Sequence, residues 1–553
     1  MRERSERLFE ALSEISEQKI DEASPSDRTS RSRWKKWGVL AAALVLVVGV
    51  GSQILPRLGG NAGGNGAGRT GEDGASVFMS YAGPVFPLTL KEADGAITAE
   101  REITLDFAPW VPVWWSNQKE ADSREGLTPE QRQEVLDNYN EWYPEGGRWR
   151  SSTDIQVTDA YTLTNTSAQD RTVSVLCPFV SSFQELDEHW PALTADGQAL
   201  ETALHAGQFS GGYQGPWGGT LFTEAEPGSM NLMYANSWTD YKDLIEDTDY
   251  LENALEDWPD FSGVPVIVYE FTDPWGPEED EKAGIPNPTL RNSFDLDYSR
   301  TIVLSYGFNG TSRDLEKGWM DKQFSIPVPG AVDDGMPRYL IVVGEDIGPI
   351  QTQGYPTGGW DTKETVEAGV TVKRYETDLE DILRTVLRQR YDRNYEGWDA
   401  RSQDFELYFG LMKDQLLVHG VLAKDPMERY GVGSLEDLDA YALDRIFYLE
   451  AQVTIPAGGS VTLTAEMTKE GSYDFYCAHT ENRGVYGYDM VTQLGSNLAC
   501  TGQTAVLEDR GQIEIVRQNF GFDLENGIDR VELDSSAEHY YLEVKGREGR
   551  FEK

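Results

Sequence analysis

Cysteine, histidine and basic residues are scarce in this chain of 553 residues, and each shortage excludes something. Three cysteines, Cys177, Cys477 and Cys500, are too few for a disulfide scaffold, and no CxxC pair is present to hold a metal. None of the three sits beside an apolar N-terminal run, as a lipid-bearing cysteine would. The histidines, His189, His205, His419, His479 and His539, are scattered without metal-ligand spacing, so each reads as structural or exposed. Lys and Arg number 48 against 94 Asp and Glu, a net charge of −46. A chain with no basic face is not built to bind nucleic acid. Also missing are HExxH, GxSxG, a P-loop and GxGxxG. Ser116 to Lys119, "SNQK", matches SxxK, but the SDN and KTG elements that would accompany it are lacking. The sequence therefore nominates no catalytic residue, no metal ligand and no cofactor.

What is present is ample apolar material. Hydrophobic residues make up 39% and aromatics 11%, enough for packed cores in about two to four domains. Residues 1–76 hold 11 bases against 10 acids, so the acidic excess lies beyond them. From Trp37 to Leu55 no charge occurs. As a helix this run would span about 28 Å, close to the hydrocarbon thickness of a bilayer. Its ten Leu, Ile and Val residues favour insertion, and Trp34 and Trp37 stand where interfacial aromatics would. The expectation is an uncleaved signal anchor, a transmembrane helix over 37–55. A cleaved signal peptide is the competitor, but 36 residues precede the run and no clear A-x-A site follows. Arg28, Arg31, Arg33, Lys35 and Lys36 lie before it and only Arg57 and Arg69 closely after. That asymmetry predicts a cell-membrane location, single-pass, with residues 1–36 cytosolic, the bulk extracellular, and the lipid bilayer as a partner. Residues 56–76, with "GGNAGGNGAGRTGEDGAS" at Gly59 to Ser76, read as a flexible linker.

Beyond the linker the pattern is mostly short alternating strands. Tyr161 and Leu163 share a face, as do Val173, Val175, Cys177 and Phe179, with polar "NTSAQD" between them, and this reads as a hairpin. A second hairpin is expected from Phe447, Leu449, Ala451, Val453 and Ile455, turning at "PAGG" and returning through Val461, Leu463, Ala465 and Met467. Helices interrupt: one capped by Thr128 with Pro129 at its first position, one with Leu379, Ile382, Leu383, Val386 and Leu387 at helical spacing, and one in "DFELYFGLMKDQLLVHGVLA". Buried strands "GVPVIVYEF" and "RYLIVVGED" lie between. The predicted fold class is mainly β with an α+β middle, as β-sandwich-like extracellular modules on one N-terminal transmembrane helix. The divisions are a β-rich region with helical insertions at 77–330, an α+β segment at 331–440, and a C-terminal β-sandwich-like module at 441–553.

Three groups of residues invite a functional reading. Glu246, Asp247, Asp249, Glu252, Glu256, Asp257 and Asp260 suit a calcium site or a carboxylate pair, but no DxDxDG loop is present and a solvated acidic helix face explains them better. Trp114 and Trp115 in "PWVPVWW", and Trp217 in "GGYQGPWGGT", are candidates for stacking on sugar rings, against the ordinary role of tryptophan in cores. Cys477 and Cys500 either bridge, in an oxidising compartment, or stand as two buried thiols; Cys177 reads as a plain buried thiol.

The head, "SERLFEALSEISEQKIDEAS", is amphipathic: Leu8, Ala11, Leu12, Ile15 and Ala23 share a face opposite Glu6, Glu10, Glu14, Glu17 and Asp21. A helix this short is marginal alone, so its stripe Leu8, Leu12 and Ile15 asks for a partner. An acidic polar face disfavours anionic lipid and favours a protein groove. "ALSEISEQKIDEA" resembles the opening of many single-pass membrane proteins of Firmicutes, whose typical form runs A-L-G-E-I-D-D-x-x-I-x-E-A; Ala11, Leu12, Glu14, Ile15, Ile20, Glu22 and Ala23 match, and Ser13, Ser16 and Glu17 depart. The resemblance covers about the first 55 residues. It implies an anti-sigma-like head that binds an extracytoplasmic-function sigma factor, although the zinc-type His-Cys-Cys motif is missing. The expected function is a non-enzymatic, membrane-anchored sensor or signalling protein with an unknown extracellular ligand. The alternatives are a cell-envelope module binding glycan or protein, then a wall hydrolase.

Overall fold

Strict alternation of apolar and polar residues decides most of the local structure, as Ile155–Asn165 shows by burying every second side chain. The computed structural model describes residues 81–547, except 111, 123–127, 145, 152, 210–237, 239–241, 243–253, 278–287, 327–336, 357–363, 396–403, 419–420, 423–431, 437, 439–443 and 474–483. The first stretch supplies β1 (Thr89–Leu90), β2 (Ile97–Asp106), β3 (Pro112–Ser116), β4 (Gly147–Ser151), β5 (Ile155–Asn165), β6 (Arg171–Ser181), β7 (Ala192–Ala195), β8 (Gln198–Ala199) and β9 (Ala203–Phe209). Helices α1 (Asn117–Asp122) and α2 (Pro129–Trp142) lie between β3 and β4, and α3 (Leu186–His189) follows β6. The expected cap of α2 is in place: Gln131 N–H donates to Thr128 Oγ1 at 3.3 Å, and Thr128 N–H donates to Gln131 Oε1 at 2.9 Å.

The middle of the chain supplies β10 (Pro265–Trp275), β11 (Thr289–Asp295), β12 (Thr301–Tyr306), β13 (Gly310–Asp314), β14 (Trp319–Ser325), β15 (Arg338–Gly344), β16 (Gln351–Tyr355) and β17 (Gly369–Asp378). They form two antiparallel sheets, ordered β12-β15-β10-β17 and β13-β14-β11-β16. Alternation sorts β15 between two cores. Leu340 and Val342 join Phe271, Leu290, Phe294, Phe308 and Phe324 in one cluster. Ile341 and Val343 join Ile382, Leu383, Val386 and Leu387 of α4 (Leu379–Tyr395) and Tyr408, Phe409 and Met412 of α5 (Phe405–Val418) in the other. The two helices are latched by cations over rings: Arg384 lies 4.4 Å from the Phe409 ring and Arg388 4.4 Å from that of Phe405.

The last stretch supplies β18 (Arg445–Ile455), β19 (Ser460–Lys469), β20 (Ser472–Tyr473), β21 (Val485–Val491), β22 (Ala499–Glu508), β23 (Ile513–Gln518), β24 (Arg530–Glu532) and β25 (His539–Gly546). Here the expected hairpins are corrected. The inward faces are as predicted, but β5 does not pair with β6, nor β18 with β19. Instead β6 runs antiparallel to β18, with Cys177 opposite Leu449, and β5 runs antiparallel to β19, with Tyr161 opposite Leu463. Each expected hairpin is an arch that carries the chain from one sheet to another. The reason is that alternation fixes which face is buried and leaves the hydrogen-bonding partner open. The two arches are pinned at their turns. Asn165 Nδ2 donates to Gln169 O at 2.7 Å and Ile455 O at 3.1 Å, and Ala457 N–H donates to Asp170 Oδ1 at 2.9 Å. The resulting sheets are ordered β1-β6-β18-β9 and β24-β22-β2-β5-β19-β7-β8, with β2 and β22 parallel. Strands beyond residue 441 thus share sheets with strands before residue 210. The remaining sheets are β20-β21-β25-β23 and the β3–β4 ribbon. The protein is mainly β, built of several antiparallel sheets.

A second correction concerns the membrane. Among the described residues no helix is long and apolar enough to cross one, which stands against the expected transmembrane signal anchor and single-pass membrane location. The longest, α4, has 17 residues, about 26 Å as a helix, and carries Glu380, Asp381, Arg384, Arg388, Asp392 and Arg393. The run 37–55, the linker and the head residues Leu8, Leu12 and Ile15 lie outside the described residues.

Candidate functional site

Three buried polar clusters and one aromatic lobe carry the side chains with chemical potential. The first unites Ser181 at the end of β6, His189 on α3 and Glu470 just after β19. Ser181 Oγ is 3.0 Å from His189 Nδ1, and His189 Nε2 is 3.6 Å from Glu470 Oε1. Serine, histidine and a carboxylate are the residues of nucleophilic catalysis. Their hydrogen bonds serve another end. Ser181 Oγ reaches both Ser182 O, at 3.0 Å, and the imidazole, and its single hydroxyl hydrogen can serve only one of them at a time. A general base would have to take that serine proton, and Ser181 is only 1% exposed. The cluster holds segments together. Beside it the buried Lys469 donates to Ala82 O at 3.0 Å and to Glu470 O at 3.1 Å, and burial pulls its pKa down against the carboxylates around it.

The second cluster lies within the seven-stranded sheet. Arg101 of β2 makes a bidentate pair with Asp159 of β5 at 2.8 Å for both bonds, and its third nitrogen donates to Val491 O at 2.7 Å. Tyr161 donates to Asp159 Oδ2 at 2.8 Å and accepts from Leu88 N–H at 2.9 Å. Burial opposes the charge on Arg101, but Asp159 and Tyr161 hold it protonated more firmly than an ordinary arginine. Asp159 is bound on both oxygens, so the network binds the 88 and 491 backbones to the sheet.

The third cluster joins both ends of the described chain. His539 Nε2 is 2.8 Å from Asp489 Oδ2, the oxygen that also accepts from the Tyr81 hydroxyl. The Trp238 ring stacks on His539 with centroids 4.8 Å apart and planes at 12°. No spacing in the sequence signals any of these clusters, because their members come together only through strand pairing.

The aromatic lobe spans β3, α1, α2 and β4. In register Trp114 stands opposite Trp149 and Trp115 opposite Arg148. Asn117 ties α1 to the end of α2, donating to Asn140 Oδ1 and to Tyr143 O, both at 2.9 Å. At that end Tyr139 meets Trp142 edge to face at 5.2 Å and stacks near Tyr143 at 6.1 Å. Trp142 is 64% exposed, an indole standing in solvent. The sequence reading missed it, although an aromatic at the polar end of an amphipathic helix was the available signal. Trp110, four residues before Trp114, is a core residue whose indole N–H donates to Tyr488 at 3.0 Å.

The remaining candidates fall as follows. Trp217, Cys477 and the acids Glu246 to Glu252 lie outside the described residues. Cys500 carries a free thiol, one of the two alternatives read for it, while its possible partner Cys477 lies outside the described residues; Cys177 is a buried free thiol, its pKa pushed up by burial. Asp260 caps its own turn through Ser262 N–H at 2.9 Å. Among the described residues no group of three or more His, Cys, Asp or Glu is placed to hold a metal. A shallow, open depression of about 500 Å³ lies among Asp295, Asp297, Tyr298, Leu315 and Lys317. Compared with known proteins, the chain matches no family model and no curated protein.

Proposed function

We propose that this chain is a non-enzymatic recognition protein of signalling type, in which the β-rich block presents a binding surface and residues 1–36 engage a protein partner. The single observation that carries the first half is Trp142. A single exposed apolar side chain is ordinary, but this one belongs to a group: its ring meets Tyr139 edge to face, Tyr139 stacks near Tyr143, and Asn117 ties this helix end to α1. An exposed indole beside a second ring is suited to stack on pyranose rings, so a glycan of the cell envelope is the favoured ligand class. Trp114 and Trp115 belong to the same lobe. In support of a binding rather than a catalytic role, Ser181, Asp159 and Asp489 are committed to holding backbone and side chains in the interior.

Two finer readings belong to this proposal. The sheets containing β6–β18 and β5–β19 face each other as a β-sandwich; Phe179, Phe447, Leu163 and Leu463 sharing one core support this. The head is anti-sigma-like, supported by the match at Ala11, Leu12, Glu14, Ile15, Ile20, Glu22 and Ala23. Co-sedimentation of the protein with insoluble wall glycan tests the ligand class. Retention of the wild type and reduced retention of Trp142→Ala are expected; no retention of the wild type defeats it. The head is tested separately, with residues 1–36 as bait for a sigma factor: Leu12→Asp should abolish capture, and a wild-type head that captures none overturns the anti-sigma reading.

A further inference from the structure

We infer that His189 is a proton-operated clasp on the segment at Ala82, closed when the imidazole is charged and loosened when it is neutral. The inference is independent of what the aromatic lobe binds. The buried ring is surrounded by four segments. Ser181 at the end of β6 lies on Nδ1, Glu470 after β19 lies on Nε2, Glu185 comes from the turn before α3, and Asp444 precedes β18. The other charged neighbours are Lys469, bonded to the Ala82 and Glu470 carbonyls, and Arg445, bonded to Gly207 O at 2.9 Å and paired with Asp414. Asp187 and Glu188 share the helix with His189.

The proton count follows from the hydrogen bonds. We assign the Ser181 hydrogen to Ser182 O, 3.0 Å away, which puts the proton of the neutral ring on Nδ1. A neutral ring then turns the lone pair of Nε2 toward the Glu470 carboxylate 3.6 Å away. A second proton replaces that repulsion with an ion pair to Glu470, to which the negative charges of Glu185 and Asp444 add. Burial works against the charge, but Glu470, with Glu185 and Asp444 behind it, outweighs burial and holds the imidazole above its ordinary value. The sign is therefore set. The clasp's contribution is complete below the ordinary histidine value and is lost as pH rises through the raised one.

What the clasp holds is specific. Glu470 lies between Lys469, whose Nζ donates to Ala82 O at 3.0 Å, and Ser472, whose Oγ accepts from Ala82 N–H at 2.9 Å. The turn gripped by His189 is the turn that grips Ala82, so proton loss at His189 reaches the segment leading back to the head.

Hydrogen exchange on the full chain tests this, between about pH 5.5 and 8.5, with rates corrected for their intrinsic pH dependence. Protection at Ala82 and across 470–473 should fall severalfold as His189 loses its proton, while Leu449 in β18 keeps its protection. His189→Gln retains a donor but cannot titrate, and should make the Ala82 profile flat. A flat wild-type profile, or a Gln variant with the wild-type pH dependence, overturns the inference. Should the variant fail to fold, a nuclear magnetic resonance titration of His189 in the wild type decides. A value above that of ordinary histidine upholds the clasp, and one at or below it ends it.

Discussion

The stacked arches and the middle sheets are made from the same alternating strands, yet they solve the pairing problem differently. In the middle, β11 finds β14 and β16 within one stretch of chain. In the arches, β5 and β6 find β19 and β18 only after the whole middle has intervened. Closing so long a loop costs entropy before any contact repays it, so the middle sheets should order first and the arches dock on them. The difference also places the polar clusters. The Arg101–Asp159 and Ser181–His189–Glu470 groups lie in the arch region, where distant segments must be fixed against each other.

The largest expected effect of breaking this arrangement is Asp159→Ala. It leaves the buried Arg101 guanidinium without its bidentate partner, which should cost about 3–5 kcal/mol in chemical denaturation. A loss below about 1 kcal/mol would show that the network does not hold the arches. Next come Leu463→Ala in the arches and Leu340→Ala in the middle, each fully buried and each expected to cost about 2–5 kcal/mol. Kinetics separates them. Leu340→Ala should chiefly slow folding and Leu463→Ala chiefly speed unfolding, and the reverse assignment would break the comparison.

How much of this was legible in the sequence depends on whether the deciding force is local. The faces of β5, β6, β18 and β19 were readable from alternation, as were the Thr128 cap and the Ile382–Val386 stripe, because each rests on neighbours within a few residues. The arches were not, since "NTSAQD" and "PAGG" suit a hairpin as well as a step between sheets; only Asn165 meeting Ile455 decides it. The site was less legible still. Trp114 and Trp115 drew attention by clustering, whereas the indoles that stand exposed among the residues of described burial include Trp142 and Trp275, and exposure is set by packing.

Smaller effects sharpen the same contrast. Asn165→Ala removes the amide that joins the two arch turns and should cost about 1–3 kcal/mol, read in the main unfolding transition. Thr128→Ala should cost about 1 kcal/mol, confined to the lobe and read as faster amide exchange in α2 without a shift in the main transition. If Thr128→Ala lowers the main transition as Asn165→Ala does, the lobe is part of the core rather than an appendage.

The recognition reading rests most directly on Trp142. Titrating the protein with soluble oligosaccharides released from cell-wall glycan, and following indole fluorescence, should give a saturable change in the wild type. Trp142→Ala should weaken binding by about two- to tenfold, the range expected for one stacking contact, with the main unfolding transition unchanged. Equal affinity in the two proteins, or no saturable change in the wild type, would contradict the account.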